Sequence, residues 1–365
     1  DENYLRMTGA SKTITGSGKF TNSKLFADGT TTFDAVLVAE SAFTETFVNA
    51  GKSLTIETGT TFKNGTMANY GTLTITGTGI INNTSDWFNA SIGTVTFGGA
   101  GTIYAGANWT NDGTFTAGTA STVEFNGSTS GNTINGTTAF YMATINKGSS
   151  TATILDVVGT VTQTNSLTFT NGLLRIPTGG SWTKTGSGPT IGATSGLHVN
   201  GGTFTQNGAS VTNQGMVKVT TGTANFGNSF GNSVLNQLTS TFILDGAGTI
   251  NVAGRIKLNS TSSFSQNAGT VNVCTIENGT TNQGSIDLSA NTSFTMTGGA
   301  INIVQKSIGA TQVDYRNLAG TVSISGGTLT IGTNATSASS NFNIQGAMPP
   351  LVVDNTTNAK TATIN

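Results

Sequence analysis

The chain has 365 residues, of which 50 are glycine and only 8% are charged, and its formal net charge is −1. Disordered chains combine low hydrophobicity with high net charge, whereas 35% of these residues are hydrophobic, so we expect a folded protein. The 15 lysine and arginine residues are scattered and form no basic stripe, which disfavours nucleic-acid binding. No apolar run approaches the roughly 18–20 residues that cross a bilayer, so we expect no membrane span in this segment.

A motif of Gly-Thr followed by alternating apolar and polar residues recurs along the chain. Its copies begin at Gly71, Gly93, Gly113, Gly202, Gly248, Gly269, Gly320 and Gly327. The starting positions of neighbouring copies differ by 93 − 71 = 22, by 113 − 93 = 20 and by 269 − 248 = 21. A regular period of this length is typical of solenoids and is too short for a propeller blade.

Each copy alternates as a strand with one buried face does, for example in Thr72-Leu73-Thr74-Ile75. Asn-x-Gly corners precede several copies, because Asn and Gly tolerate the left-handed backbone of a sharp turn. We therefore predict an all-β protein, a right-handed parallel β-helix (β-solenoid) with about 20–22 residues per coil and roughly 17 coils. The side chains predicted to point inward are Leu73, Ile75, Val95, Phe97, Phe115, Val271, Val273 and Ile324.

We expect residues 1–365 to form a single continuous β-solenoid. A larger repeat overlies the coils, because the stretches from 133 and from 343 share a glycine turn and a TATI strand, and their numbering is offset by 344 − 134 = 210. The chain does not begin with Met, and its last alternating strand, 361–365, has no polar cap. These features predict a fragment of a larger repetitive protein that continues past Asn365 and is prone to end-to-end self-association.

The stretch TINGTTAFYMATINKGSSTATILDVVGTVTQTNSLTFTNGLLRI, which begins at Thr133, resembles large repetitive cell-surface adhesins of the Bacteroidota. Those proteins include gliding-motility and attachment adhesins exported by type IX secretion, and they look like right-handed parallel β-helices. The resemblance implies an extracellular location at the bacterial cell surface. It also implies a non-enzymatic stalk or filament, whose partners are surface glycans or other adhesin chains.

An enzyme is the main alternative, since β-helices also house polysaccharide-degrading enzymes. Arg255-Ile256-Lys257 matches a tripeptide of the polygalacturonase-like glycosidases, and His198 is the single histidine. Glycoside hydrolysis needs paired carboxylates, however, and no acidic residue lies between 157 and 244. The Asn-Thr-Asp, Asp-Asp and Gly-His-Gly motifs of that family are also absent. We therefore predict no catalytic residues, with Arg255 either solvated or paired with Glu277.

No cofactor or metal site is predicted. The one cysteine, Cys274, excludes an internal disulfide and a cysteine-based zinc site, and it is best explained as a small buried hydrophobe. GGAGTI at 98–103 begins like a calcium-binding repeat but has Ile103 where the aspartate ligand belongs.

Two features leave binding alternatives open. Thr72/Thr74, Thr94/Thr96 and Thr114/Thr116 would align as a row of threonine pairs, which is how some ice-binding solenoids present their surface, although later copies carry asparagine in the second place. Trp87 and Trp109 are one period apart, close to Asp86 and Asp112, and could contact a glycan. Their unequal distances to the next glycine argue that the two rings do not stack in register, and an aromatic covering the core is the commoner role.

Overall fold

The protein is described by a computed structural model that covers residues 3–16, 20, 22–35, 42–228, 234–276, 284–306, 313–333 and 335–365. It consists of two compact units, Asp1–Gly172 and Leu173–Asn365. Strands make up all of the regular structure in these ranges, and no helix occurs there. The strands stack in parallel as a β-solenoid, with about 15 turns in total. The predicted fold class is confirmed, while the right-handed winding stays a prediction.

The strands of the first unit have between 3 and 14 residues. They are β1 (Asn3–Gly16), β2 (Ser23–Ala35), β3 (Phe43–Val48), β4 (Ser53–Ile56), β5 (Thr61–Asn69), β6 (Thr72–Ile75), β7 (Ile80–Asn83), β8 (Trp87–Asn89), β9 (Thr94–Phe97), β10 (Thr102–Ala105), β11 (Trp109–Asn111), β12 (Thr114–Thr116), β13 (Thr122–Phe125), β14 (Asn132–Phe140), β15 (Met142–Asn146), β16 (Ile154–Val157) and β17 (Thr160–Gln163). β18 (Leu167–Pro177) contains the boundary to the second unit.

Each coil in the middle of the first unit has three strands, one on each face. β6, β7 and β8 form one coil, and β9, β10 and β11 form the next, with each strand paired in parallel to its counterpart one coil later. Thr72 lies opposite Thr94 and Ile75 lies opposite Phe97, so like positions stack directly on one another. One period of the sequence motif is therefore one full coil.

The second unit continues the same scheme. Its strands are β19 (Ser181–Gly186), β20 (Thr190–Ile191), β21 (Ser195–Gly208), β22 (Val211–Asn213), β23 (Met216–Phe226), β24 (Val234–Leu238), β25 (Thr241–Leu244), β26 (Thr249–Val252), β27 (Arg255–Asn259), β28 (Ser263–Gln266), β29 (Thr270–Val273), β30 (Ile286–Leu288), β31 (Ser293–Met296), β32 (Ala300–Ile303), β33 (Tyr315–Asn317), β34 (Thr321–Ile324), β35 (Thr328–Ile331), β36 (Ser340–Gly346), β37 (Leu351–Val353) and β38 (Lys360–Ile364).

Coils in the second unit differ in length, which corrects the prediction of one nearly constant period. Thr249 lies opposite Thr270, a short step like those of the sequence motif. Thr270, however, lies opposite Ala300, and Ser293 lies opposite Thr321, so these coils are longer than the motif predicts. The strands on either side stay paired in register across these longer steps. Longer coils explain why the solenoid has about 15 turns and not the larger number predicted.

The inward side chains follow the alternation seen in the sequence. Leu73, Ile75, Val95, Val271 and Val273 have no exposed area, and Phe97 is only 4% exposed. Phe115 and Ile324 are less buried than predicted, since both are half-buried, but the ring of Phe115 does face inward, where it contacts the buried rings of Phe97, Trp109 and Phe140. Cys274 is buried beside β29, as predicted for a small hydrophobe.

The two copies of the proposed larger repeat share one corner geometry. Gly136 and Gly346 occupy equivalent places in the two copies and have φ of 79° and 88°. A Cβ at either position would lie 2.0 Å from a backbone oxygen, that of Asn111 or of Asn317. The side-chain amide of that same asparagine donates to the residue after the glycine, Thr137 in the first unit and Ala347 in the second.

Candidate functional site

Trp87 and Trp109 belong to the core of the first unit. They are 1% and 0% exposed, and their rings stack with centroids 4.9 Å apart and planes 3° from parallel. The two residues lie directly opposite each other in β8 and β11, so the expectation that they would be out of register is wrong. Trp87 is two residues further from Gly93 than Trp109 is from Gly113. These two additional residues lie in the corner after Asn89, so the strands stay in register.

The predicted glycan contact through these tryptophans needs correction on physical grounds. A sugar ring packs on an exposed aromatic face, and both ring faces here are covered by protein. Asp86 and Asp112 are exposed, and the carboxylate of Asp86 accepts hydrogen bonds from the backbone and side-chain nitrogens of Asn108. The tryptophans therefore stabilise the stack, and only the two carboxylates remain accessible.

The most regular surface is a face of the first unit that we call the threonine face. It comprises Thr13, Thr30, Thr32, Ser53, Thr55, Thr72, Thr74, Thr94, Thr96, Thr114 and Thr116. These residues form two columns, because each strand of the face contributes positions two residues apart and successive strands are paired in register. One column extends one coil further, since Thr13 lies opposite Thr32. The predicted alignment of the threonine pairs is confirmed, and it includes coils that the sequence motif did not mark.

The side chains of the threonine face project away from the core and have no polar partners among the described residues. All eleven are half-buried or exposed, while residues that lie between the two columns, such as Leu54, Leu73 and Val95, are fully buried. Within the described ranges none of the eleven hydroxyls makes a hydrogen bond, so all of them are available to solvent or a ligand.

An outward column in the second unit offers a contrast. Asn225, Asn251, Asn272 and Asn302 lie opposite one another in four successive coils. Each amide donates to the oxygen of the previous asparagine at 2.8, 2.8 and 2.9 Å. These amides satisfy one another along the stack, whereas the threonine face leaves its hydroxyls free.

A second asparagine ladder is buried at a corner of the first unit. The amide of Asn69 donates to Asn89 at 2.8 Å, and the amide of Asn89 donates to Asn111 at 2.7 Å. Asn69 and Asn89 also donate to the backbone oxygens of Thr94 and Thr114. The ladder joins each coil to the next where the backbone turns, next to the backbone hydrogen bonds from Ala90 to Asn69 and from Asp112 to Asn89.

Lys147 and Lys184 have no exposed area. The ammonium of Lys147 donates to the backbone oxygens of Gly106 and Asn126 and, at 2.8 Å, to Oδ1 of Asn132. Burial lowers the pKa of Lys147 to about 8, and it lowers the pKa of Lys184 to about 8 as well. The sequence contains a signal for both, because each lysine occupies an inward position of an alternating strand pattern.

An open groove of about 610 Å³ lies next to Lys147 on the surface of the first unit. Asn82, Asn126, Asn146 and Ser128 line it together with glycines. The amide of Asn146 donates to Glu124, but the side-chain amides of Asn82 and Asn126 make no hydrogen bond within the described residues. Nothing in the sequence pattern marked this groove, because its residues come from four successive coils.

His198 belongs to a small polar cluster of the second unit. Its Nε2 is 3.0 Å from the hydroxyl of Thr220, which donates to Asp245 at 2.7 Å, and Asp245 forms an ion pair with Lys218 at 2.7 Å. Burial raises the pKa of Asp245, but the hydrogen bonds of Lys218 and Thr220 and the charge of Lys218 outweigh it, so the net shift is downward.

Arg255 lies near Asp287 and Arg316, which form a bidentate ion pair with each other at 2.9 and 2.7 Å. Burial lowers the pKa of Arg255, and the charge of Asp287 opposes that shift. Glu277, the partner predicted from the sequence, lies outside the described residues.

Comparison with protein-family models, with curated proteins and with solved structures found no match to this chain. The Bacteroidota identity and type IX export therefore rest on the resemblance in the sequence alone. In the described ranges, no helix has the length and apolar character to cross a membrane, and no three His, Cys, Asp or Glu side chains come together as metal ligands. The class that the structure defines is a repetitive β-solenoid protein.

Proposed function

We propose that the chain is a non-enzymatic structural and adhesive protein, a stalk or filament of a bacterial cell-surface adhesin. The observation that carries this proposal is the continuity of bonding from coil to coil in the first unit. Parallel backbone ladders, the buried ladder of Asn69, Asn89 and Asn111 and the stacked rings of Trp87 and Trp109 all join successive coils. Unfolding a coil requires all of these contacts to break, and a protein that carries load between a cell and a surface needs that resistance.

The surface chemistry supports the same proposal. Small uncharged side chains dominate the outward positions, as on the threonine face and in the column of Asn225, Asn251, Asn272 and Asn302. Such faces suit repeated weak contacts with glycans or with other adhesin chains, because they bring little desolvation cost from charge. The cell-surface location and type IX export follow from the resemblance at residues 133–176 and form part of the proposal.

Single-molecule pulling and an attachment assay together test this function. We expect the tethered chain to unfold coil by coil at high force, and beads coated with it to attach to bacterial or glycan-coated surfaces. Release of reducing ends from a panel of polysaccharides would contradict the non-enzymatic interpretation. Unfolding at negligible force would contradict the stalk.

Glycan binding in the polar groove is a second candidate function. The groove offers the unpaired side-chain amides of Asn82 and Asn126, and paired amide donors and acceptors are suited to sugar hydroxyls. A glycan array tests this candidate with the variant Asn82→Leu and, as a control away from both the groove and the threonine face, Thr110→Leu in β11. Loss of a glycan signal in the first variant only would support it, and equal signals in both would dismiss it.

A further inference from the structure

The threonine face has a two-dimensional repeat. Parallel strands lie about 4.7–4.9 Å apart, which sets the distance between neighbours within a column. The two columns are two residues apart along each strand, a distance of about 6.6–6.8 Å. The longer column, Thr13, Thr32, Thr55, Thr74, Thr96 and Thr116, contains five such intervals and is therefore about 24 Å long.

Each position of the face presents the same chemistry. Threonine places a hydroxyl and a methyl group on one β-branched carbon, whose rotation about χ1 is restricted, and Ser53 is the one position without the methyl. None of the eleven hydroxyls is bonded within the described residues. The strands beneath are anchored by fully buried side chains such as Ile56 and Ile75, so the array is held in place before any ligand arrives.

The face carries no charge within its two columns. Lys52 and Glu57 flank the strand of Ser53 and Thr55 but lie outside them. A charged side chain would orient nearby water around itself, and no such side chain interrupts the array of methyl and hydroxyl groups within the two columns. Both repeats of the array are of the same order as the oxygen repeats of hexagonal ice.

We propose that the threonine face binds ice. The ligand is the ordered water of an ice surface, held by the hydroxyls and spaced by the methyl groups. A crystalline polysaccharide is the other periodic solid of similar flatness, but its sugar rings pack on aromatic side chains and none occupies the eleven positions. The proposal is independent of the stalk function, because it concerns one face and not the strength of the stack.

Thermal hysteresis and inhibition of ice recrystallisation by the full chain test the proposal. Thr74 lies in the middle of the array, opposite both Thr55 and Thr96, and Thr74→Tyr raises a bulky ring above the flat face. The variant should fold, since tyrosine is favoured at outward strand positions. We expect the unmodified chain to arrest ice growth and Thr74→Tyr to lose most of that activity.

Thr102→Tyr is the matched control. Thr102 is also an outward threonine of the first unit, but it lies in β10 on another face. The Thr102→Tyr variant should keep the full activity on ice growth. Circular dichroism verifies that both variants retain their strand content. Absence of any effect of the unmodified chain on ice, or equal loss in both variants, would overturn the proposal. So would binding to crystalline chitin or cellulose that Thr74→Tyr abolishes while ice activity is unchanged.

Discussion

The indole nitrogens of Trp87 and Trp109 have different environments although the two rings stack 4.9 Å apart. Nε1 of Trp109 donates to the hydroxyl of Thr138 at 3.1 Å, whereas Nε1 of Trp87 is buried and has no hydrogen-bond partner among the described residues. An unpaired buried donor costs stability, and a paired one contributes to it. The two residues therefore provide a matched pair for measuring the value of that hydrogen bond.

Trp109→Phe should destabilise the chain more than Trp87→Phe. The first change removes the hydrogen bond to the buried hydroxyl of Thr138, while the second removes an N–H that has no partner in the described part of the chain. Both lose similar ring area, so the difference in free energy of unfolding should be about 1–2 kcal/mol. Urea denaturation measures it, and equal midpoints would show that the hydrogen bond contributes nothing.

Phe97→Ala tests the stacked core. Phe97 is 4% exposed and contacts the ring of Phe115, and the coils on either side restrict collapse of the cavity. The expected loss is roughly 3–5 kcal/mol. Thr96→Ala changes the adjacent outward position and should cost about 0.5 kcal/mol or less. Similar losses in thermal denaturation would contradict the assignment of inward and outward faces.

Asn89→Ala interrupts the buried ladder in its middle. It leaves one N–H of Asn69 and the oxygen of Asn111 without their partners in a buried site, while the amide of Asn69 keeps its bond to the oxygen of Thr94. Each unpaired buried group costs about 1–3 kcal/mol, so we expect a loss of about 2–6 kcal/mol in total. Asn251→Ala in the outward ladder should cost less than about 1 kcal/mol, because water reaches its neighbours. Equal losses of stability in Asn89→Ala and Asn251→Ala would show that burial does not determine how much these amide hydrogen bonds contribute.

Much of the fold could be predicted because it depends on local alternation. In Thr72-Leu73-Thr74-Ile75 every second side chain has a stacking partner above and below, so the strand pattern alone fixes which face is buried. The prediction of inward side chains failed for Ile324, where no further strand of the described residues stacks on this part of the coil. Ile324 belongs to β34, which in the described part of the chain is paired with β31 only.

The reason for that interruption is also in the sequence. In the preceding coil, β34 lies between β33 and β35, which pair with β36 and β37. The equivalent place between β36 and β37 is occupied by residues 347–350, which include Pro349 and Pro350. Proline lacks the N–H that a strand ladder requires, so β34 is left with one uncovered edge. The polar groove and the bonds of Lys147 were beyond prediction, because they depend on which coils become neighbours.

Stability should rise with pH from about pH 8. Burial lowers the pKa of Lys147 and of Lys184 from 10.5 to about 8, so the unfolded chain binds more protons than the folded chain between about pH 8 and pH 10.5. Folded stability therefore increases with pH in that window, by at most about 3 kcal/mol per lysine. Burial raises the pKa of Tyr315, which opposes the trend above about pH 10.

Urea titrations between pH 7.5 and 9.5 measure this slope. Lys147→Met preserves the volume and removes the charge, so the slope should fall by about half, and the double variant with Lys184→Met should lose most of it. A slope that is unchanged in the double variant would show that other groups cause the pH dependence.

Gly136→Ala should be among the most damaging single-methyl changes in the first unit. Gly136 has a φ of 79°, and a Cβ there would lie 2.0 Å from the backbone oxygen of Asn111 in the preceding coil. The backbone conformation costs about 1–2 kcal/mol for alanine, and the clash adds about 1–3 kcal/mol because two coils must move apart.

Gly131→Ala is the control, since its φ is 83° but no atom of the described residues lies within 4 Å of the added carbon. It should lose only the conformational part, about 1–2 kcal/mol, in the same denaturation experiment. Equal losses would mean that the close approach of the coils at this corner does not limit the choice of residue.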